Sequence, residues 1–295
     1  MRALVLSGGA AKGAYQVGAL KYLLGELELK YDAVCGTSVG AINAAFLAMF
    51  EHGKEKECIE SLEKLWKNLT TSDIYVDWVN LPKPLNYIGY LTALWKPSLY
   101  NSEPLMKLVN KHYDQEKIKN SGKKLRISAV SLNSGEFRMF DENYENVVDA
   151  ILASSSFPGA FCPIELEGQL WTDGGVREIT PLKSAISLGA DTIDVIITSP
   201  RKDLSDFTSN PNIIKLGPRI IDIMSEEIML NDLDRALEIN KLIKNGTKIP
   251  NKKYINIRII RPDETLVESS LVFEQKFIGP MIDKGYKDAV KRCQR

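Results

Sequence analysis

Short apolar runs alternate with segments of helical periodicity along most of this chain. The runs predict strands at residues 2–6, 32–35, 125–132, 136–140, 192–198 and 254–260. The periodic segments predict helices at residues 13–26, 38–51, 56–68, 103–118, 145–154, 180–189, 219–244 and 273–293. Strands separated by helices are typical of an α/β protein with a largely parallel sheet. Because no repeat or linker divides the sequence, we expect a single domain over residues 1–295.

Residues 70–101 interrupt the alternation. They carry six Tyr and Trp residues and three prolines without clean periodicity. We interpret them first as an irregular segment that covers the core, because aromatic residues serve in packing more often than in recognition. The alternative is a lid-like access surface for an apolar substrate, since Trp and Tyr suit the boundary between apolar and aqueous phases.

The charge balance argues against several classes of partner. The 38 basic and 38 acidic residues cancel, so the chain has no overall field that would attract nucleic acid. No apolar run is long enough to span a bilayer, and the first residues do not have the pattern of a secretory signal peptide. The four cysteines are scattered and form no metal-binding spacing. We therefore expect a cytoplasmic protein, peripheral at a membrane surface if it contacts one.

The predicted helix 219–244 has apolar residues at helical spacing. Ile220, Ile221, Met224 and Ile228 share one face. We interpret this face as part of the core rather than as a membrane-docking surface, because amphipathic helices normally pack in this way.

Residues Gly36–Gly40 form a GxSxG pattern centred on Ser38. The pattern follows the apolar run Ala33–Cys35 and precedes the apolar stretch Ala41–Ala48. A strand, a sharp turn and a helix are the setting of a nucleophile elbow, in which the flanking glycines Gly36 and Gly40 allow close backbone approach. The Ser38 hydroxyl would then lie at the positive end of a helix, which favours a developing alkoxide. A serine that only caps a buried helix is the alternative.

A nucleophilic serine needs a base, and the chain has two histidines. His52 lies fourteen residues beyond Ser38, about 21 Å along a continuous helix. His112 lies beside Lys111 in a charged helix, and no histidine follows it, whereas the α/β-hydrolase order places the histidine last. A triad of Ser38, Asp77 and His112 is therefore disfavoured, and we interpret both histidines as surface or partly packed residues.

A carboxylate is the second candidate for the base. Asp173 follows the apolar run Leu170–Thr172 and is followed by Gly174 and Gly175. Two glycines can end a strand in a tight turn that directs the carboxylate into a cleft, although the same pattern also forms ordinary turns. Because a carboxylate is a weak base at its usual pKa, Asp173 would need partial burial to act near neutral pH.

The segment Ser7–Gly13 is a glycine-rich turn between the first predicted strand and the first predicted helix. Backbone N–H groups in such a turn can bind a phosphate or the oxyanion of an ester under attack. Lys12 precedes Gly13 and no Lys-Ser or Lys-Thr pair follows, so the segment is not a Walker A loop, and its spacing does not fit GxGxxG. A plain strand-to-helix turn is the alternative.

Together these segments resemble the patatin-like phospholipase family in its bacterial form. The resemblance is carried by the following segments: Leu6–Gly18, Gly36–Ala44, Ala153–Pro158, Asp173–Val176 with Pro181, Asn251–Pro262 and Gly285-Tyr286. It therefore extends over nearly the whole chain. It implies a three-layer α/β fold in which helices flank a central, largely parallel sheet.

The resemblance also implies roles for individual residues. Ser38 would be the nucleophile and Asp173 its base, in a Ser–Asp dyad without histidine. The backbone amides of Gly8, Gly9 and Ala10 would form the oxyanion hole. Lys12 matches the basic position of the family and is expected to steady the glycine loop or to bind the lipid phosphate.

Two positions depart from the family pattern. Ala10 stands where many members have glycine, and a methyl group there costs on the order of 1 kcal/mol or more if the backbone needs a positive φ. Ile179 stands where relatives often have asparagine, which removes a polar group near the site. These departures motivate the alternative of a catalytically inactive, lipid-binding relative.

The expected activity is hydrolysis of lipid acyl esters, of the phospholipase A or lysophospholipase type, without metal or cofactor. Acyl transfer to another alcohol uses the same groups and stays open. A nucleotide-binding loop at Gly8–Gly13 is a weaker third hypothesis. The expected partners are a phospholipid or another lipid ester, reached through transient peripheral membrane contact, and the residues leave the oligomeric state open.

Overall fold

The computed structural model describes residues 1–78, 95–201, 213–267 and 269–294, except for the side chains of 213–219, 221, 222, 225 and 232. At its centre, eight strands form one sheet: β1 (Arg2–Leu6), β2 (Ala33–Gly36), β5 (Lys124–Ser131), β6 (Phe137–Asp141), β7 (Ile164–Leu166), β8 (Gln169–Asp173), β9 (Thr192–Ile196) and β10 (Asn256–Ile260). Their order across the sheet is β10-β9-β1-β2-β5-β8-β7, and β6 pairs with β5. A separate antiparallel pair joins β3 (Val76–Asp77) to β4 (Tyr100–Asn101).

The helices follow the predicted alternation. They are α1 (Gly13–Leu20), α2 (Val39–Ala48), α3 (Glu55–Asn68), α4 (Thr71–Ile74), α5 (Glu103–His112), α6 (Gln115–Asn120), α7 (Val147–Ser154), α8 (Leu182–Ser187), α9 (Ile213–Lys244) and α10 (Gln275–Cys293). The prediction of one helix over 103–118 is wrong, because Tyr113 is extended and the Asp114 side chain accepts the Lys117 N–H and starts a new helix.

Side chains alternate between the two faces of the sheet. In β1, Leu4 and Leu6 belong to the larger core, whereas Ala3 and Val5 belong to the smaller one. The larger core lies beneath α1, α2, α3, α7 and α10, and the smaller core lies beneath α8 and α9. The sheet is therefore buried on both faces, as a largely parallel sheet requires, and the predicted three-layer α/β architecture is confirmed.

Helix α10 packs against α1 with almost no space between the two backbones. A Cβ atom on Gly18 would lie 1.8 Å from the Ile282 carbonyl oxygen, and one on Gly285 would lie 1.9 Å from the Tyr15 carbonyl oxygen. The Tyr15 hydroxyl donates to Asp288 at 2.9 Å. The close approach of the two backbones thereby fixes α10 against α1.

Strand β5 brings the ends of β2 and β8 together. It pairs in parallel with β2, where Gly36 lies opposite Ile127, and antiparallel with β8, where Asp173 lies opposite Ala129. Because β6 covers Arg126–Val130 along one edge of β5, β2 and β8 must share the other edge. Their directions are opposite, so the last residues of both strands meet at the carboxyl edge of the sheet.

The aromatic segment 70–101 is described only at its two ends, since residues 79–94 lie outside the described residues. The rings of Tyr75 and Tyr100 are 4.4 Å apart, and the Trp78 indole N–H donates to the Ser98 carbonyl at 2.9 Å. Trp95 is 91% exposed. The interpretation of the whole segment, as cover or as lid, stays a prediction.

The interpretation of the α9 apolar face as core is wrong for its first part. Of the four residues of that face, Ile220 and Met224 are 53% and 57% exposed and Ile228 is half-buried, while the side chain of Ile221 lies outside the described residues. Met229 and Leu233 further along the helix are buried. Apolar periodicity continues along the helix beyond the part that packs on the sheet, so periodicity alone could not show where burial begins. No helix in the described parts of the chain combines the length and apolar character needed to cross a membrane.

Candidate active site

Ser38 occupies a strained turn between β2 and α2. Its φ of 57° and ψ of −128° lie in a backbone region that residues other than glycine rarely adopt, and this strain costs of order 1–3 kcal/mol. A Cβ atom on Gly36 would lie 2.1 Å from the Gly40 carbonyl oxygen, and one on Gly40 would lie 2.2 Å from that of Leu6. The two glycines of the GxSxG pattern are therefore required by close backbone approach, and the turn presents Ser38 at the start of α2.

Two serines at the end of α7 hold the backbone of Ser38. The Ser38 N–H donates to the Ser154 hydroxyl oxygen at 3.0 Å. The Ser155 hydroxyl donates to the Ile151 carbonyl at 2.8 Å and lies 3.5 Å from the Ser38 carbonyl. Sequence reasoning did not assign these roles, and the only signal for them was the serine run in the segment Ala153–Pro158.

Asp173 ends β8 and is almost completely buried, with 2% of its surface exposed. Burial raises the pKa of its carboxyl group to about 7, and hydrogen bonding from the Ser38 side chain and from the Gly175 N–H opposes this rise. The Gly175 N–H donates to Asp173 Oδ1 at 2.7 Å. A Cβ atom on Gly174 would lie 2.1 Å from Ser128 Oγ, so the turn after Asp173 needs a glycine there. This pKa suits a base that works near neutral pH.

The glycine-rich loop offers two backbone donors rather than three. The Gly8 N–H donates to the Ile179 carbonyl at 3.0 Å, and the Gly8 carbonyl accepts the Thr198 hydroxyl at 2.6 Å. Within the described residues, the N–H groups of Gly9 and Ala10 donate to no protein acceptor. Gly9 has a φ of 148°, and Ala10 has a φ of 49°. Ala10 therefore adopts the positive φ that its methyl group disfavours.

The loop lies directly against the nucleophile. A Cβ atom on Gly8 would lie 3.2 Å from Ser38 Cβ and 3.0 Å from Ile179 Cγ1. Ile179 therefore borders the site through its apolar side chain, and it holds the loop through its carbonyl group. Main-chain hydrogen bonding does not depend on the side chain, so the contact to Gly8 exists despite the departure from asparagine.

Lys12, His52 and His112 each lie beside residues other than Ser38 and Asp173. Lys12 Nζ lies 3.4 Å from Ser199 Oγ, just beyond the end of β9. His52 lies 3.6 Å from Glu55, and His112 lines a groove with Phe46 near the far end of α2. Burial and the charge of a neighbouring lysine lower the pKa of His112. The structure thus brings a carboxyl group, and not an imidazole, to the Ser38 side chain.

Over the ranges that the structure describes, no three His, Cys, Asp or Glu side chains come together in a group that could hold a metal ion.

The family model for patatin-like phospholipases matches residues 4–186. This chain therefore belongs to the patatin-like phospholipase family.

Several curated proteins are similar to the chain. The uncharacterized protein YjjU of Escherichia coli is 28% identical over 67% of this chain and 52% of its own length. Calcium-independent phospholipase A2-gamma of Rattus norvegicus is 26% identical over 79% of this chain and 33% of its own length. A cGAMP-activated phospholipase of Vibrio cholerae is 26% identical over 70% of this chain and 62% of its own length. The chain thus spans about half of YjjU and a third of the rat protein.

Two solved structures also align with the chain. VipD from Legionella pneumophila gives a TM-score of 0.46 at 16% identity, covering 99% of this chain and 66% of VipD. The type III effector ExoU gives a TM-score of 0.38 at 15% identity, covering 99% of this chain and 53% of ExoU.

Proposed function

We propose that this chain hydrolyses lipid acyl esters, in the manner of a phospholipase A or lysophospholipase, with Ser38 and Asp173 as a catalytic dyad. The observation that carries the proposal is the buried Asp173: burial raises the pKa of its carboxyl group to about 7, and the neighbouring Ser38 side chain opposes this rise. A carboxylate with this pKa can accept the serine proton near neutral pH. Membership of the patatin-like phospholipase family supports a lipid ester as the substrate.

The reaction proceeds in two steps. Ser38 Oγ attacks the ester carbonyl carbon while Asp173 accepts the Ser38 proton, and the carbonyl π electrons move to the oxygen. The tetrahedral intermediate collapses, the bond to the alcohol breaks, and Asp173 returns the proton to the leaving oxygen. Water then attacks the acyl-serine with Asp173 again as base, which releases the fatty acid and restores Ser38.

The free amides of Gly9 and Ala10 form the oxyanion hole in this proposal. Gly8 is excluded as a donor while its N–H is bonded to Ile179, so its role is to place the loop against Ser38. Removal of one oxyanion donor typically costs about 2.7–4 kcal/mol in the transition state. Lys12, whose Nζ lies 3.4 Å from Ser199 Oγ, steadies the loop from its other end and supplies a positive charge for a lipid phosphate.

Intact mass after treatment with a fluorophosphonate tests the dyad. We expect one adduct on the wild type, none on Ser38→Ala and slow labelling of Asp173→Asn. Ser187→Ala, at an exposed serine on α8, is the matched control and should label like the wild type. Release of fatty acid from phospholipid vesicles by the wild type, and its loss in Ser38→Ala, would establish the substrate class.

The strained backbone of Ala10 favours a second candidate function, in which the protein binds lipid without hydrolysing it. Strain at an oxyanion donor can displace its N–H group from the position that the reaction requires. A folded wild type that gives no adduct, with or without detergent micelles, and that still binds phospholipid vesicles would support this candidate and contradict the hydrolase.

A further inference from the structure

A chain of buried polar side chains runs beneath the glycine-rich loop. The Trp66 indole N–H donates to Asn43 Oδ1 at 2.9 Å, and Asn43 Nδ2 donates to Gln16 Oε1 at 2.9 Å. Gln16 Nε2 donates to the Ser7 carbonyl at 2.7 Å. All four residues are at most 2% exposed. We call these three side chains, Trp66, Asn43 and Gln16, the loop-support network.

The network connects the two halves of the proposed active site. Asn43 lies on α2, five residues after Ser38, and Gln16 lies on α1, which follows the loop. Asn43 Nδ2 also lies 3.2 Å from the Gly13 carbonyl at the start of α1. Ser7 immediately precedes Gly8, so the bond from Gln16 fixes the loop where it leaves β1. If the network only provided partners for buried polar groups, it would not need to end on the Ser7 carbonyl, next to the loop.

We propose that the loop-support network positions the Gly9 and Ala10 amides relative to Ser38. Gln16, Asn43 and Trp66 are thus positioning residues for the oxyanion hole, and this inference rests on the proposed function. Oxyanion donors act at about 2.7–3.1 Å from the oxyanion. A displacement of about 1 Å at a reacting group can cost about a hundredfold in rate. A small shift of the loop should therefore lower kcat much more than it changes KM.

Gln16→Met tests the proposal, because methionine has a similar shape but neither donates to Ser7 nor accepts from Asn43. Tyr15→Phe is the matched control, since it removes a buried hydrogen bond from the neighbouring residue of α1, to Asp288 rather than to the loop. With a soluble ester we expect kcat to fall tenfold to a hundredfold in Gln16→Met, with KM within about threefold, and to stay within about twofold in Tyr15→Phe. Wild-type kcat in Gln16→Met, or an equal loss in Tyr15→Phe, would overturn the proposal.

The far end of the network gives a second test. Trp66→Phe keeps an aromatic ring but removes the N–H that orients Asn43. We expect a smaller loss of kcat than in Gln16→Met, and no additional loss when the two changes are combined, because both act through the same chain of bonds. Additive losses in the double variant would contradict a single network.

A readout without turnover separates this proposal from the proposed function. Amide hydrogen exchange at Gly8 and Lys12, whose N–H groups donate to the Ile179 and Gly9 carbonyls at 3.0 Å, should become faster in Gln16→Met and stay at the wild-type rate in Tyr15→Phe. If the wild type hydrolyses no ester, the proposed function fails, whereas the exchange rates still decide whether the network holds the loop. Unchanged exchange in Gln16→Met would overturn the positioning role.

Discussion

Replacement of Asp173 by asparagine removes a titratable group whose pKa in the folded protein is far above its usual value. The pKa is about 7 rather than 3.8, mainly because the carboxyl group is buried. Asparagine keeps an oxygen that can accept the Gly175 N–H, so the turn after β8 can stay intact. The change therefore measures how much the buried, ionised carboxyl group lowers the free energy of unfolding.

The sign and the size of the effect follow from proton linkage. Below about pH 4 the carboxyl group is protonated in both the folded and the unfolded protein, so it causes no penalty. Between about pH 4 and pH 7 the unfolded chain loses this proton while the folded protein retains it, and the wild type loses stability as the pH rises. A difference of about 3 pKa units at about 1.36 kcal/mol each gives roughly 4 kcal/mol above pH 7.

Urea unfolding followed by tryptophan fluorescence measures this effect. We expect the free energy of unfolding of Asp173→Asn, relative to that of the wild type, to increase by roughly 3 kcal/mol between about pH 5 and about pH 8. Asp283→Asn, at an exposed position on α10, controls for the loss of a carboxyl group. A difference between Asp173→Asn and wild type that is equal at both pH values would refute the reasoning, because it would mean that Asp173 is not desolvated.

The same pKa predicts that kcat/KM of the wild type falls about tenfold per pH unit below about pH 7, as Asp173 becomes protonated, and a flat profile from pH 5 to pH 8 would exclude Asp173 as the base. Ala10→Gly should raise the free energy of unfolding by up to about 1 kcal/mol without loss of kcat, since it relieves a φ of 49°. Gly18→Ala should lower the thermal midpoint by several degrees, because its Cβ would lie 1.8 Å from the Ile282 carbonyl. Gly25→Ala, where a Cβ would meet only Ile59 Cγ2 at 3.9 Å, should not lower it.

Much of the fold could be predicted from the sequence because its signals are local. The apolar runs at residues 2–6 and 192–198 predicted two central strands, and the structure places β1 and β9 there as neighbours. The break between α5 and α6 could not be predicted from periodicity, because both helices place apolar residues in the same core. The short strands β7 and β8 were also missed as a pair, although the Glu167-Gly168 turn between them adopts positive φ at both residues.

The sequence by itself determined the chemical groups of the candidate site and the local turns that carry them. The glycines around Ser38 and after Asp173 indicate sharp backbone turns, and the structure shows such turns at both places. Only the tertiary structure decided which groups meet and in what electrostatic state. Asp173 reaches Ser38 because β2 and β8 share one edge of β5, and its pKa rises because residues distant in the chain remove water from it. The Gly8 amide is occupied because Ile179, far along the chain, supplies an acceptor. Burial and long-range hydrogen bonding depend on contacts between distant segments, so no local pattern can encode them.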